Sequence, residues 1–349
     1  MLSLELQDKL KKLVNAYGVS GNEYEVSAIA ADLLRPYVDE VSVDGFGNVT
    51  GIRRCGVPGA QKVMLDAHID QVGFFVTEVT DEGFLRFMGM GVDQRMLLGS
   101  ELTVLTQTGK RLPGIVAAIP PHLQNAGDNK KSVPIDQMVV DIGMTGEQAK
   151  KEVRIGDYMA FANDAIDLLG DVVCGKAMDD RACFVCILRA LELLKDKPLA
   201  VDLIVTGTTK EEMGGHGAMS CAWRERPDLA IAVDVCHAKT ADAGPGDGVH
   251  EFGGGPVVTV GINSNPHFAR RMMEVARAKR IPYQAEASPS HTGTNAWGIQ
   301  PVGDGITTLV VSLPLKYMHS PVEMLRMCDV RSVGALLAAF VEDLKEGQL

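Results

Sequence analysis

Several things are scarce in this 349-residue chain, and each scarcity closes off a class of function. Phenylalanine, tryptophan and tyrosine make up 5% of the residues, with two tryptophans. That leaves little material for the aromatic platforms on which sugars stack, so a glycoside hydrolase built on paired carboxylates ranks low. There is no basic stripe and no block of like charge. The 34 basic side chains stand against 45 acidic ones for a net charge of -11, which argues against a nucleic-acid partner. No apolar run approaches the roughly 18–20 residues of a membrane span. The opening MLSLELQDKLKKLV reads as an amphipathic helix rather than a charged leader with an apolar core, so the expectation is a soluble cytoplasmic protein. Seven cysteines are present, and apart from one pair none sits at CxxC spacing. Cys183 and Cys186 form CFVC inside an apolar helical pattern, and the expected state is reduced packing residues.

The chain does have apolar residues, 46% of the total, enough for one large or two ordinary domains. Helical periodicity runs over residues 4–17 and 22–39, with Ser20, Gly21 and Asn22 as a break and a plausible cap between them. VSVDGFGNVTGIRR alternates around turn residues as a strand pair, and QKVMLDAHID reads as a buried strand. From about Gly73 to Asn163 short alternating stretches punctuated by glycine and proline predict a small β-rich domain. Its one credible helix is TGEQAKKEV, where Thr145 and Gln148 suit a capping box. The loop PPHLQNAGDNKKS in this segment reads as a solvent-facing turn, with an oligomer contact as the alternative. From about Asp164 strands and helices alternate again: ACFVCILRALELLKD, VDLIVTGT, LAIAVDV, HFARRMMEVARAKR, TTLVVSLPL and VGALLAAFVEDLKE. The pattern predicts an α/β sandwich, residues 1–72 and 164–349, interrupted by a β domain at 73–163.

The candidate chemistry sits at the ends of these elements, where α/β sheets place functional groups. AHID sets His68 and Asp70 on one face of an extended segment, so Asp70 can accept the second ring N–H of a ligating His68. An isolated HxD is more often incidental. KAMDDRACFV puts Asp179 and Asp180 just ahead of a helix, the place of an N-cap carboxylate, but equally of a carboxylate bridging two divalent ions, for which Asp179 is the candidate. Glu211 and Glu212 follow a buried strand directly, and their mutual repulsion asks for a cation or a proton. One of such a pair can bind metal while the other takes a proton from water. Asp234 ends another apolar strand, as a ligand or a turn residue, and His319 precedes Ser-Pro in a rigid extended segment.

Together YGVSGNEYEV, AHID, MDDR, EEMG, VDV and YMHSPVE resemble the glutamyl aminopeptidase, or TET, family of dinuclear-metal aminopeptidases, whose subunits build tetrahedral dodecamers. The resemblance covers nearly the whole chain. It implies a phosphorylase-like α/β/α sandwich with an inserted β-rich dimerisation domain. It implies that His68, Asp179 and Asp234 bind one metal and Asp179, Glu212 and His319 the other, with Glu211 as general base and acid and Asp70 as the support of His68. The implied cofactors are two divalent ions per subunit, zinc or cobalt. The implied activity is removal of N-terminal residues from peptides by a metal-activated water, in dimers that assemble into a dodecamer. The same cluster also suits a metal-dependent deacylase or amidase acting on a small metabolite. A non-catalytic relative would have lost a ligand or the base, and none is lost. The chain departs from the family pattern at Cys183, at His216 in GGHG, and at Asn295, where relatives often carry aspartate in GGTDA. The last two are expected in loops lining the substrate cleft.

Overall fold

The computed structural model describes residues 2–123, 132–244 and 248–349. The turn expected at PPHLQNAGDNKKS therefore falls largely outside the described residues, since 124–131 are not among them. The chain opens with α1 (Leu2–Asn15) and α2 (Tyr24–Leu34), then the hairpin β1 (Glu40–Val43) and β2 (Val49–Arg53), then β3 (Lys62–His68). Six strands follow: β4 (Gly73–Val79), β5 (Phe84–Met90), β6 (Glu101–Leu105), β7 (Arg111–Val116), β8 (Val140–Asp141) and β9 (Tyr158–Phe161), with α3 (Gly146–Glu152) before the last. They close into a barrel in the order β4-β5-β8-β7-β6-β9. Its interior is apolar, with Phe74 packed edge-on against Phe87 and Phe161. Thr145 caps α3 in a reciprocal box with Gln148, as its sequence predicts.

Beyond the barrel come β10 (Ile166–Leu168), β11 (Val172–Gly175), α4 (Met178–Leu194), β12 (Asp202–Thr208), α5 (His216–Glu225) and β13 (Leu229–His237). The chain ends with β14 (Val257–Gly261), α6 (Pro266–Lys279), β15 (Gln284–Ser288), α7 (Ala296–Ile299), β16 (Thr307–Leu315), β17 (Glu323–Arg326) and α8 (Met327–Asp343). The main sheet runs β1-β2-β12-β3-β13-β16-β14-β15, and its centre, β12-β3-β13-β16, is parallel. Parallel strands are covered on both faces, which is why they read as continuous apolar runs. On one face α1, α2, α4, α6 and α8 bury the large core with Leu65, Val205, Ile231 and Leu309. On the other, Ala218 and Ala222 of α5 and Ile299 of α7 meet Met64, Ile204 and Ala230. The cysteines are all unpaired.

One local expectation is corrected. Ser20 does not cap α2: the cap position is Glu23, with no side-chain cap bond, and the Ser20 hydroxyl donates to Asp70 instead. Fully buried Arg181 fixes the same corner. Its guanidinium donates to the carbonyls of Leu13, Ala16, Gly18 and Ile69, tying the end of α1 to the exit of β3. Burial lowers its pKa to about 10, so it stays charged at neutral pH.

Candidate active site

Strand register brings the first group of residues together. Thr208 of β12 stands opposite His68 of β3, and Ala232 of β13 opposite Asp66, so the exits of three parallel strands lie side by side. Glu211 and Glu212 come just after β12, past Lys210 in a left-handed turn with φ of 60°, and Asp234 is near the end of β13. Gly217 keeps that turn closed, because a Cβ there would stand 2.2 Å from the Thr209 carbonyl. Asp179 and Asp180 have non-helical backbone angles at the head of α4, and His319 lies between β16 and β17.

All seven residues singled out from the sequence converge. The two carboxylate oxygens of Asp179 face different histidines: Oδ1 is 3.1 Å from His68 Nε2 and Oδ2 is 3.2 Å from His319 Nε2. Glu212 Oε2 lies 3.5 Å from His319 Nε2, while Glu211 Oε2 and Asp234 Oδ1 lie 3.9 and 4.0 Å from His68 Nε2. Asp70 sits behind them. Its Oδ1 is 3.4 Å from His68 Nδ1, and its carboxylate accepts the backbone N–H groups of Glu211 at 3.1 Å and Glu212 at 3.3 Å. One buried carboxylate thus holds both the imidazole and the two-glutamate turn. The other six line a cavity of about 370 Å³.

The charges in this cluster are under tension. Burial pushes the carboxyls of Glu212, Asp234 and Asp180 well above the usual range, and Glu211 up to about 7. Asp179 goes the other way: despite burial, His319 and His68 hold its carboxyl below the ordinary range. Asp179 in turn lifts His319 to about 9. His68 is pulled down by burial, but Asp179 and Asp70 prevail and raise it well above its usual value. Glu212 Oε1 and both Asp180 oxygens are buried with no hydrogen-bond partner among the described residues. Unpaired buried carboxylate oxygens are costly unless a proton or cation satisfies them. Two donor sets, His68 with Asp180 and Asp234, and His68 with Asp179 and Glu212, each have their atoms within 4.8 Å of one another. Imidazole nitrogen mixed with carboxylate oxygen suits a divalent transition metal, so these residues fit such ions.

Comparison with known proteins agrees with this chemistry. Residues 47–336 match the M42 glutamyl aminopeptidase family. The chain belongs to that family. It is 34% identical to the lysyl aminopeptidase of Pyrococcus furiosus, over 96% of each chain. Among solved structures, a TET aminopeptidase from a Thaumarchaeota archaeon superposes with a TM-score of 0.92 at 30% identity, over 99% of this chain and 98% of the other. The Pyrococcus horikoshii TET1 peptidase, which can assemble into a tetrahedron or a large octahedral shell, gives a TM-score of 0.85 at 30% identity, over 97% of this chain and 100% of its own. This M42 protein is therefore a metal-dependent aminopeptidase, and the deacylase alternative is not favoured. No helix of the described residues is long and apolar enough to cross a membrane.

Three buried carboxylates in or beside the cluster were not picked out as site residues from the sequence. Asp180 stands beside the bridging candidate in the sequence, and one of its oxygens belongs to the first donor set. Glu323 is buried and accepts from the N–H groups of Met178 at 2.7 Å, Asp179 at 3.1 Å and His319 at 2.8 Å, so it clasps the Asp179 and His319 segments together. Asp66, an acid inside an apolar run, is fully buried. Its charge was the available signal. It explains Asn295, whose amide donates to Asp66 at 2.8 Å and to the Thr208 hydroxyl at 3.0 Å. The loop that holds Asn295 lines the cavity as expected, through Thr292, Gly293 and Thr294, but neither Asn295 nor His216 is itself a lining residue. Asn295 is drawn beneath the floor by Asp66, and His216 is exposed at the start of α5. Cys183 packs inside α4, and burial, with Cys186 and Asp180 beside it, pushes its thiol well up.

Proposed function

We propose that the cluster holds two divalent ions, zinc or cobalt: one on His68, Asp179 and Asp234, the other on Asp179, Glu212 and His319. The observation that carries this reading is Asp179, whose two oxygens each stand within about 3.2 Å of a different histidine, the disposition of a bridging carboxylate. Asp180 offers an oxygen to His68 and Asp234 as well, but Asp179 reaches both histidines. Asp70 fixes the tautomer and orientation of His68. Two ions in this cradle would supply Lewis acidity, lowering the pKa of water and polarising the scissile carbonyl. Glu211, held near 7 by burial, takes the proton from the attacking water and returns it to the leaving amine. The carboxylate-rich wall anchors the free α-amine of the substrate, which confines cleavage to the first peptide bond.

Residues 1–72 and 164–349 form the catalytic unit in this reading, and the insert at 73–163 carries dimerisation. Exposed Met88 and Ile115 on the barrel strands, with Ile119 just beyond, support that role. Dimers assemble into a dodecamer, as a TET1 relative does, and admit peptides in the cytoplasm.

The test pairs metal counting with kinetics. The protein restored with zinc or cobalt after chelation is expected to hold two ions per chain. Glu211→Gln keeps both while kcat falls about 10²- to 10⁴-fold, the range for general acid–base catalysis. Asp179→Asn weakens both sites together. Near-normal turnover in the first variant, or full occupancy in the second, overturns the assignment.

A further inference from the structure

The cavity extends well beyond the cluster. From Asp234 its wall crosses the sheet to Val310 and Ser312 of β16, Thr259 of β14, and Glu286 and Ser288 of β15. Asp234 is paired with Ser312, and Thr259 with Glu286. The step from β13 to β15 is three strands, or ~14 Å at ~4.8 Å per strand. No lysine or arginine is among the described lining residues, and outside the cluster their only carboxylate is Glu286. It is built into place. Its Oε2 accepts from the Thr259 hydroxyl at 3.1 Å, and Oε1 lies 3.7 Å from His250 Nε2. Its side chain keeps 35% exposure, so the carboxylate is presented to the cavity rather than consumed by the fold. His250, offset by partial burial and aided by Thr259, holds its carboxyl below the ordinary range, so it is an anion at neutral pH.

We propose that Glu286 is a specificity-determining residue that selects peptides beginning with lysine or arginine by pairing with the side-chain cation at the far end of the cavity. This rests on the aminopeptidase reading, which places the α-amine and first carbonyl at the cluster. The span from there to β15 suits a long extended side chain together with the reach of glutamate itself. A leucine side chain stops short of Glu286 and adds nothing to the contacts the carboxylate already makes with Thr259 and His250. An acidic first residue meets a like charge with no arginine or lysine on the wall to offset it.

The discriminating pair is lysine against norleucine, which have similar length and differ by the charge. Metal-loaded protein is assayed with Lys-, Arg-, norleucyl-, Leu- and Glu-p-nitroanilides. The lysyl substrate is expected to exceed the norleucyl one in kcat/KM by on the order of tenfold, the scale of one hydrogen bond to a charged group, with the glutamyl substrate lowest. Glu286→Gln should collapse the Lys/norleucine ratio toward one, mainly through KM. Because the ratio is taken within one preparation, any loss of folded protein cancels. Glu286→Lys should raise the glutamyl substrate relative to the lysyl one. A Lys/norleucine ratio unchanged by Glu286→Gln, or a wild-type preference for the glutamyl substrate, overturns the proposal while leaving the aminopeptidase reading intact. If no anilide is cleaved, that reading falls instead, and calorimetry of L-lysinamide against L-norleucinamide decides the inference. A lysinamide preference lost in Glu286→Gln supports it, and equal binding overturns it.

Discussion

Asp66 and Asn295 form a pair whose logic is electrostatic. A carboxyl buried in the sheet is tolerated because Thr206, Asn295 and Thr208 surround it with donors, although burial still pushes it up. An aspartate at 295 would set two buried carboxyls against each other at the present 2.8 Å contact. Asn295→Asp should therefore cost about 3 kcal/mol near pH 7, the scale of an uncompensated buried charge, read from urea unfolding. Adding Asp66→Asn should recover most of it, since the double variant only reverses the pair. Equal losses in single and double variants would show that the two sites are not coupled. The departure at 295 and the cleft-lining place of its loop were legible in the sequence, but the buried partner Asp66 was not, because it lies far away in the chain. The five ligand candidates, the base candidate and Asp70 were legible because each polar residue ends or follows an apolar run.

At the scale of elements, the parallel strands β3, β12 and β13 deliver His68, the two glutamates and Asp234 by register alone. His319 and Asp179 reach the cluster by another route. β17 pairs with β11, which places Gly175 opposite Glu323, and Glu323 then ties the head of α4 to the His319 turn. That pairing joins distant stretches of chain, so no local pattern in YMHSPVE announces it. Ser20 teaches the same lesson, because a hydroxyl suited to capping is claimed by a carboxylate from β3's exit. Glu323→Ala should leave three backbone donors without their acceptor and lower metal affinity about 10- to 100-fold, the range for groups that orient ligands. Chelator competition measures this, and the ion on Asp179, Glu212 and His319 should be lost first. Unchanged affinity for both ions would remove the clasp from the account.

For the whole molecule, the barrel and the sandwich have separate apolar cores. Exposed Met88, Ile115 and Ile119 give the barrel's outer surface an apolar component, the face proposed for assembly. Mass photometry should find a particle of twelve 37.4 kDa chains that breaks down to monomers when Ile115 and Ile119, on the proposed dimer face, are both replaced by lysine. A wild-type monomer would contradict that assembly. The proposed chemistry at the cluster rests on metal, Glu211 and a free amine, whatever the assembly. The most direct test of that chemistry is hydrolysis of one peptide with a free and with an acetylated N-terminus, using chelated protein restored with zinc, cobalt or manganese. Release of the first residue from the free peptide alone, and only after metal is restored, is the predicted result. Equal cleavage of the acetylated peptide, or no cleavage with any metal although metal is bound, would contradict it.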